Sequence, residues 1–351
     1  MHERKGNVRS FGPMTLSILV VGAAGYVGSH ATKFLLSAGH RVLALDNLSR
    51  GHRDAVLGAD FVQADLTDAA GVAKVLVSRP IDVVMHFAAL AYVGESVSHP
   101  RAYYRNNLVG ALNLLDAMLD ANVHRLVFSS TCSTYGVPLE SPIPESHPQR
   151  PINPYGATKL AVEGALRDYA KAYGLSSVSL RYFNAAGCDS EGLLGERHEP
   201  ETHLIPLVLK EALRIEGGGD PSETSLVVNG GDFPTPDGTC VRDYVHVEDL
   251  AAAHLAAALR MMDEPAGTAS AFNLGTGRGY SVLEVIEAAR RVTGIAIGYR
   301  MGPPREGDPS HLVSTNELAR RELGWAPRYT NLDDIIATAW RWMKRPASPR
   351  P

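Results

Sequence analysis

The chain has few cysteines, few aromatics, little surplus charge and no long hydrophobic run. Its three cysteines, Cys132, Cys188 and Cys240, are odd in number and far apart, with no CxxC pair. Neither a disulfide framework nor a cysteine-based zinc site is indicated, and a reducing cytoplasm is the expected compartment. Thirty-four Lys and Arg against 38 Asp and Glu leave a net charge of −4. That balance supports neither a nucleic-acid binder nor a polybasic membrane anchor. The most apolar stretches, 16–28 and 250–262, contain Gly or His and are too short to span a bilayer. The leading MHERKGNVRSFGPM is charged but is not followed by an apolar h-region with a cleavage site, so it does not read as a signal peptide. With 45% hydrophobic and 21% charged residues over 351 positions, the expectation is one large α/β unit or two closely packed domains.

Residues 1–14 read as a loose, disordered extension in which Met14 could be the start, and the Pro-rich 345–351 as a disordered tail. Between them, short β-branched runs alternate with longer helical segments, as in a parallel sheet covered by helices. The spacing predicts strands at 18–21, 41–45 and 61–63 and helices at 26–37 and 69–78. Strands at 82–86 and 125–129 follow, with one helix over 103–121 between them, and then a strand at 178–181. After Asn184 glycine and proline become dense, as in GGGDPSE at 217–223 and GGDFPTPDGT at 230–239. A doubly wound, Rossmann-type parallel sheet is therefore expected over 15–184, with a smaller mixed α/β substrate domain over 185–344. Residues 243–277, and AFNLGTG at 271–277 in particular, are expected to return to the first domain.

SILVVGAAGYVGSH sets Gly22, Gly25 and Gly28 at GxxGxxG spacing between a strand and a helix. A tight turn needs the first, close approach of a pyrophosphate the second, and helix packing on the strand the third. Asp46 ends the second strand eighteen residues beyond Gly28, where a carboxylate accepts from an adenosine ribose and repels a 2′-phosphate. NAD is expected over NADP; the bland alternative for Asp46 is a turn residue in DNLSRG. Asp65 and Leu66 fall where an adenine ring would be flanked, although Asp65 also reads as a helix N-cap.

YGATK places Tyr155 and Lys159 on one helix face. An ammonium beside a phenol stabilises the phenolate and lowers a pKa near 10, so the tyrosine can act as a base. In FSSTCSTYG the hydroxyls of Ser129, Ser130 and Thr131 follow a strand at the sheet edge where open α/β sheets bind ligands. Thr131 is expected beside Tyr155, and backbone capping is assigned to Ser130 or Ser133.

Taken in order, GAAGYVGSH, LDNLSRG, FAALAYVGES, YYRNN, FSSTCSTYG, NPYGATK, RYFNAAG, HLIP, DGTCVRDYVHV and REGD resemble the extended short-chain dehydrogenase/reductase family, and within it the UDP-galactose (UDP-glucose) 4-epimerases. The resemblance runs from about residue 16 to 343. It implies a bound NAD cofactor touched by Tyr26, Val27, Asp46, Asn47, Leu48, Ser49, Arg50, Gly51, Asp65 and Leu66. The cofactor positions continue with Phe87, Ala88, Ala89, Leu90, Ala91, Asn106, Ser129, Tyr155, Lys159, Tyr182 and Phe183. It also implies a UDP-sugar substrate held by Thr131, Tyr155, Asn184, His203, Leu204, Asn229, Arg242, Arg305, Asp308 and Leu312. The two arginines suit a pyrophosphate and Asp308 a ribose hydroxyl. A homodimer built on the helices around 103–121 and 155–173 is implied as well; Leu108, Leu112, Leu115, Leu119, Leu166 and Tyr169 give them apolar residues on more than one face.

Four positions depart from the pattern. Ala91 stands where the family often has a cofactor-contacting lysine, and His203 replaces an amide. Asn229 replaces an aromatic that stacks on uracil, and Leu312 at the sugar gate favours non-acetylated hexoses. In HEPETH, 198–203, the histidines are five apart around Pro200 and do not share a helical face, so a loop over substrate is expected and no metal. The rival readings are a UDP-xylose/UDP-arabinose 4-epimerase and a non-catalytic NAD-sensing protein. A nucleotide-sugar 4,6-dehydratase would need an acidic pair where Cys132 and Ser133 stand.

Overall fold

The computed structural model describes residues 14–304 and 309–345; the expected tails at 1–13 and 346–351, and the candidates Arg305 and Asp308, lie outside the described residues. The first half runs β1 (Ser17–Val21), α1 (Tyr26–Ser37), β2 (Arg41–Asp46), β3 (Asp60–Gln63), α2 (Ala69–Val77), β4 (Val83–His86), α3 (Val93–Ser98) and α4 (Pro100–Tyr103). After a π-helical turn at Tyr104–Val109 come α5 (Gly110–Asp120), β5 (Arg125–Thr131), α6 (Pro154–Tyr173) and β6 (Ser176–Tyr182). The rest is β7 (Asn184–Ala186), α7 (Leu204–Glu216), β8 (Val227–Asn229), β9 (Val241–His246), α8 (Val247–Asp263), β10 (Ala269–Leu274), β11 (Gly279–Ser281) and α9 (Val282–Thr293). It ends with β12 (Arg300–Gly302), β13 (His311–Leu312), α10 (Glu317–Leu323) and α11 (Leu332–Met343).

Seven parallel strands in the order β10-β6-β5-β4-β1-β2-β3 form the main sheet. The order reverses at β1, so the carboxyl ends of β1 and β4 diverge and leave a crevice there. Both faces are covered, which is why β1 and β4 are nearly continuous runs of buried apolar residues. One core packs α1 and α8 on one face, and the other packs α2, α5 and α6 on the opposite face. A third apolar cluster holds α7, α9 and α11 together beside a smaller sheet in which β9 pairs with β7, β11 and β13. AFNLGTG does supply a strand of the main sheet: β10 pairs with β6 in parallel from Ala269 to Leu274.

The helix expected over 103–121 is present, running from Pro100 to Asp120 with a π-helical turn at Tyr104–Val109, and a side chain accounts for that turn. The π-helical turn buries Asn107, which donates to Leu90 O and accepts from Leu90 N, both at 2.9 Å. Such wide turns cluster at functional sites because they re-aim side chains. Leu115 and Leu166, expected among the dimer-forming residues, are buried core, and Leu108, Leu112, Leu119 and Tyr169 pack partly buried against the same core. Among the described residues no helix is long and apolar enough to cross a membrane.

Candidate active site

The turn after β1 is shaped by what its glycines leave open. Gly22 has φ +85°, and a Cβ there would sit 2.4 Å from Ala88 N. At Gly28 a Cβ would fall 2.0 Å from Gly22 O, so this glycine lets α1 press against the turn. At Gly25 a Cβ would meet protein no closer than 3.4 Å, so that side of the helix N-terminus is left for a ligand. This cradle fits a dinucleotide pyrophosphate by shape and by the N–H groups at the start of α1.

Asp46 is buried at the end of β2, with Oδ2 accepting from Ala24 N at 3.0 Å and Oδ1 from Leu48 N at 2.8 Å. The turn-fixing role is therefore real, and a carboxylate with about four acceptor positions still has capacity for ribose hydroxyls. Asn47 accepts from Ser49 and donates to Asp65 at 2.8 Å, joining the two loops that would flank an adenosine. Asp65 is not a helix cap: the cap of α2 is Asp68, which accepts from Gly71 N, while Asp65 accepts from Thr67 and Asn47. Leu66 is buried, and Asn113 of α5 donates to its carbonyl. Arg50 pairs with Glu95 at 2.7 Å, and Gly51 lies so close to Ala24 that a Cβ would crowd it at 2.8 Å. Val27 packs partly buried on the first core, and the Tyr26 hydroxyl crosses to Gly187 O at 2.5 Å.

The 87–91 loop crosses the crevice opposite. Ala88 N bonds Val21 O, Leu90 is clamped by Asn107, Phe87 packs on His254, and Ala89 and Ala91 follow the same path. Asn106, the expected cofactor contact, donates to Asn107 Oδ1 at 2.9 Å. The loop is held by Asn107, which the sequence reading passed over in the Asn-Asn pair of YYRNN.

Ser129, Ser130 and Thr131 are the last three residues of β5 rather than the residues after it. The expected division of labour among them is corrected too. Ser130 caps no backbone; its hydroxyl donates to the buried Glu163 carboxylate at 2.6 Å. Thr131 Oγ1 is the cap, accepting from Ser133 N at 3.1 Å, and its side chain is near enough to the Tyr155 phenol to favour the phenolate. Ser129 Oγ shares a 2.7 Å hydrogen bond with the Tyr182 hydroxyl, and Phe183 is buried beside them.

Asn153 caps α6 by accepting from Gly156 N, and Pro154 opens the helix. Tyr155 and Lys159 thus lie on its first two turns, one above the other, and are 9% and 3% exposed. Burial pushes the Tyr155 phenol well up; the Tyr182 phenol adds to this and Thr131 pulls it down. The expected lowering by Lys159 does not dominate, because Lys159 Nζ donates to Ser129 O at 2.8 Å. Burial brings the Lys159 ammonium down to about 7, opposed by the Glu163 carboxylate. Beneath the pair, Arg181 grips Glu163 through two hydrogen bonds of 2.9 and 2.6 Å and donates to Tyr135 at 2.9 Å. The Cys132 thiol is pushed up to about 12 by burial against the pull of Arg242, so it is neither an acid nor a thiolate here.

Beyond β6, Asn184 donates to Asp243 O at 3.1 Å and Arg242 to Val241 O at 2.8 Å. Asp243 accepts from Thr276 and Gly277, fixing the loop after β10. Leu312 packs on the cluster of Cys132, Tyr135, Ile143 and Phe183. Asn229 ends β8, aligned with Gly302 of β12. Leu204 begins α7 directly after His203.

His203 does not stand alone. Its Nδ1 lies 2.8 Å from Glu196 Oε1 and 3.0 Å from Glu201 Oε1, and His198 is in the same group. The spacing argument against a shared face holds for a helix, but 196–203 is a loop, which folds these four side chains together. Burial works against the charged His203 ring, yet the two carboxylates outweigh it and raise its pKa to about 10.

The reversed strand order, glycine cradle and buried Tyr/Lys pair at the carboxyl edge of the sheet define a class: dinucleotide-binding α/β enzymes of the short-chain dehydrogenase/reductase type. The model of the family described as the NAD dependent epimerase/dehydratase family matches residues 18–275, and the chain belongs to that family. A UDP-glucose 4-epimerase of Lactobacillus helveticus is 51% identical over 94% of this chain and 97% of its own. The crystal structure of UDP-glucose 4-epimerase from Brucella ovis in complex with NAD superposes with a TM-score of 0.87 at 47% identity, covering 93% of this chain and 98% of that one. The Bifidobacterium longum enzyme in complex with NAD+ and UDP gives 0.85 at 38% identity, over 93% and 98%.

Proposed function

We propose that this chain is a UDP-glucose 4-epimerase that interconverts UDP-glucose and UDP-galactose with NAD as its resident cofactor. The observation that carries the reading is the buried Tyr155–Lys159 pair of α6, with Lys159 tied to the end of β5 beside Thr131, at the same carboxyl edge of the sheet as the Gly22–Gly28 cradle. When bound, NAD supplies reversible two-electron oxidation of the sugar C4. The residues named for it are those of the cradle, the Asp46–Gly51 and Asp65–Leu66 loops, the 87–91 strap, Asn106, and the group Ser129, Tyr155, Lys159, Tyr182 and Phe183.

The protein's part is to move one proton and to let the sugar turn. Tyr155, as phenolate, takes the proton of the 4-hydroxyl as C4 becomes a ketone, and Thr131 steadies the same oxygen. Lys159 offsets the negative charge on the phenolate, which burial otherwise disfavours. The UDP moiety stays held by Asn184, His203, Leu204, Asn229, Arg242, Arg305 and Asp308 while the 4-keto ring presents its other face. Tyr155 then returns the proton to the oxygen, leaving C4 inverted and no net redox change. Leu312, packed against Phe183 and Cys132, narrows the sugar pocket in favour of non-acetylated hexoses.

The three buried free cysteines fit a cytoplasmic enzyme. Exposed Tyr104, Val109 and Tyr173 on and beside α5 and α6 support pairing of two chains through these helices. Light scattering tests that pairing: a monomer mass would overturn it.

The activity test offers the NAD-loaded protein UDP-galactose and, separately, UDP-arabinose. Conversion of UDP-galactose to UDP-glucose without added reductant supports the proposal. Turnover of the pentose alone would replace it with the UDP-xylose/UDP-arabinose reading, and no turnover of either with the NAD-sensing reading.

A further inference from the structure

We infer that Glu196, His198, Glu201 and His203 form a binding site for one divalent transition-metal ion of the zinc type, separate from the Tyr155 centre. The four side chains each present one donor atom, and these atoms lie within 4.8 Å of one another. A tetrahedral ion at about 2.0–2.1 Å from its ligands requires donors about 3.3 Å apart. The imidazole-to-carboxylate separations are 2.8, 3.0 and 3.1 Å, and 3.7 Å to the second oxygen of Glu201, each within about 0.5 Å of that value.

Three further observations favour an ion over a plain hydrogen-bond cluster. First, the carboxylates are deeply placed, with side chains 7% and 2% exposed for Glu196 and Glu201, and the partners within ion-pair distance of them are the two histidines. The nearby Arg197 is turned away, to Asp54 at 2.6 Å. Two buried anions need two positive charges; an ion of charge +2 provides both and leaves the imidazoles neutral. Second, His198 Nδ1 is buried 3.1 Å from Glu196 Oε1 and yet makes no aligned hydrogen bond. The lone pair of an unprotonated Nδ1 aimed at a carboxylate is repelled unless a cation stands between them. Third, Glu201 is already oriented, since its Oε1 accepts from Thr202 N at 2.8 Å and His203 N at 2.9 Å. Oriented ligands of this kind are what second-shell hydrogen bonds provide at metal centres.

Two imidazoles with two carboxylates suit zinc, and by the same preference cobalt, better than the all-oxygen sets that hold magnesium or calcium. A cavity of about 920 Å³, lined by Glu196, His198 and Glu201 together with His52, Asp54 and Trp342, gives an ion a way in. The ion would pin the loop before α7 and set the ring of His203 at the head of that helix. Tyr92, whose ring centroid is 5.7 Å from that of His198, and Arg50, which donates to Glu199 O at 3.3 Å, tie this loop to the first domain. The site therefore ties the 196–203 loop to Tyr92 and Arg50 and, through His203, adjoins the residues that hold the UDP moiety.

The test uses tag-free, full-length, NAD-loaded protein dialysed against a chelator and titrated separately with Zn2+, Co2+ and Mg2+. The expected result is one Zn2+ or Co2+ per chain, a visible d–d absorption of the Co2+ form with the intensity of a four-coordinate site, and a raised Tm, with Mg2+ inert. His198→Gln and Glu201→Gln should each weaken Zn2+ binding by more than about 100-fold and abolish the Co2+ band. Absence of stoichiometric binding by the unmutated protein, a spectrum of octahedral Co2+, or equal binding by both variants would each overturn the inference. The unmutated protein's own spectrum decides the matter even if a variant fails to fold.

Discussion

Lys159 Nζ donates to the carbonyl oxygen of Ser129 at 2.8 Å, tying the second turn of α6 to the end of β5. The ammonium is thus aimed by the strand that carries Thr131, and burial brings it down to about 7. Its unfolded value is near the ordinary 10.4. Between those values the unfolded chain binds the proton and the folded chain does not, so this group makes stability rise with pH across that window. Lys159→Met should be at least as stable as the parent at pH 7, should lose that rise, and should lose activity by about 100-fold or more. Thermal melts from pH 7 to 10 beside steady-state rates check both parts.

Thr131 caps the turn at Ser133, and its side chain pulls the Tyr155 phenol down against burial. Thr131→Ser should keep most activity, whereas Thr131→Val should lose about 10- to 100-fold in kcat, with the cost of an unmet Ser133 N–H appearing as about 1–3 kcal/mol of stability. A value of kcat for Thr131→Val equal to that of the parent would remove Thr131 from the proton path.

Glu163 and Arg181 form a buried, two-pronged pair below the catalytic helix. Burial raises the Glu163 carboxyl, but Arg181, Ser130 and Gln149 outweigh it and hold the group below its usual range. The stability this brings is present above the ordinary glutamate value of about 4.3 and is lost as pH falls below it. Glu163→Gln should cost about 3–5 kcal/mol near neutral pH by leaving Arg181 uncompensated. It should also flatten the acid limb, and denaturant melts at pH 4 and 7 measure the two effects together.

Gly28 is where the cradle has least room, since a Cβ would fall 2.0 Å from Gly22 O. Gly28→Ala should push α1 off the turn, costing about 1–3 kcal/mol and stripping NAD from the purified protein. Cofactor released on denaturation, measured per chain, should drop well below that of the parent.

The elements with strong periodicity were legible in the sequence. Tyr26–Ser37 is a helix with the expected bounds, because a glycine turn starts it and an apolar stripe runs its length. The strands from β1 to β6 were placed to within one or two residues, β5 being longer because Ser130 and Thr131 still pair with β6. What the sequence concealed depends on contacts between distant residues. Asn107, in a π-helical turn, clamps Leu90, seventeen residues earlier, and no local pattern announces that bond. Glu163 meets Arg181 across a helix and a strand. The 196–203 loop brings four ligand-type side chains together in a way that helical spacing rules cannot anticipate. The Tyr155–Lys159 pair was visible as a spacing, while the turning of Lys159 toward Ser129 required the fold.

The central claim, that C4 is inverted by removal and return of its own hydrogen while Tyr155 handles only the hydroxyl proton, is tested by running the reaction in D2O. The NAD-loaded protein converting UDP-galactose to UDP-glucose should yield product with protium retained at C4 by NMR, and Tyr155→Phe should yield almost none. Deuterium appearing at C4 of the product, or full turnover by Tyr155→Phe, would contradict it.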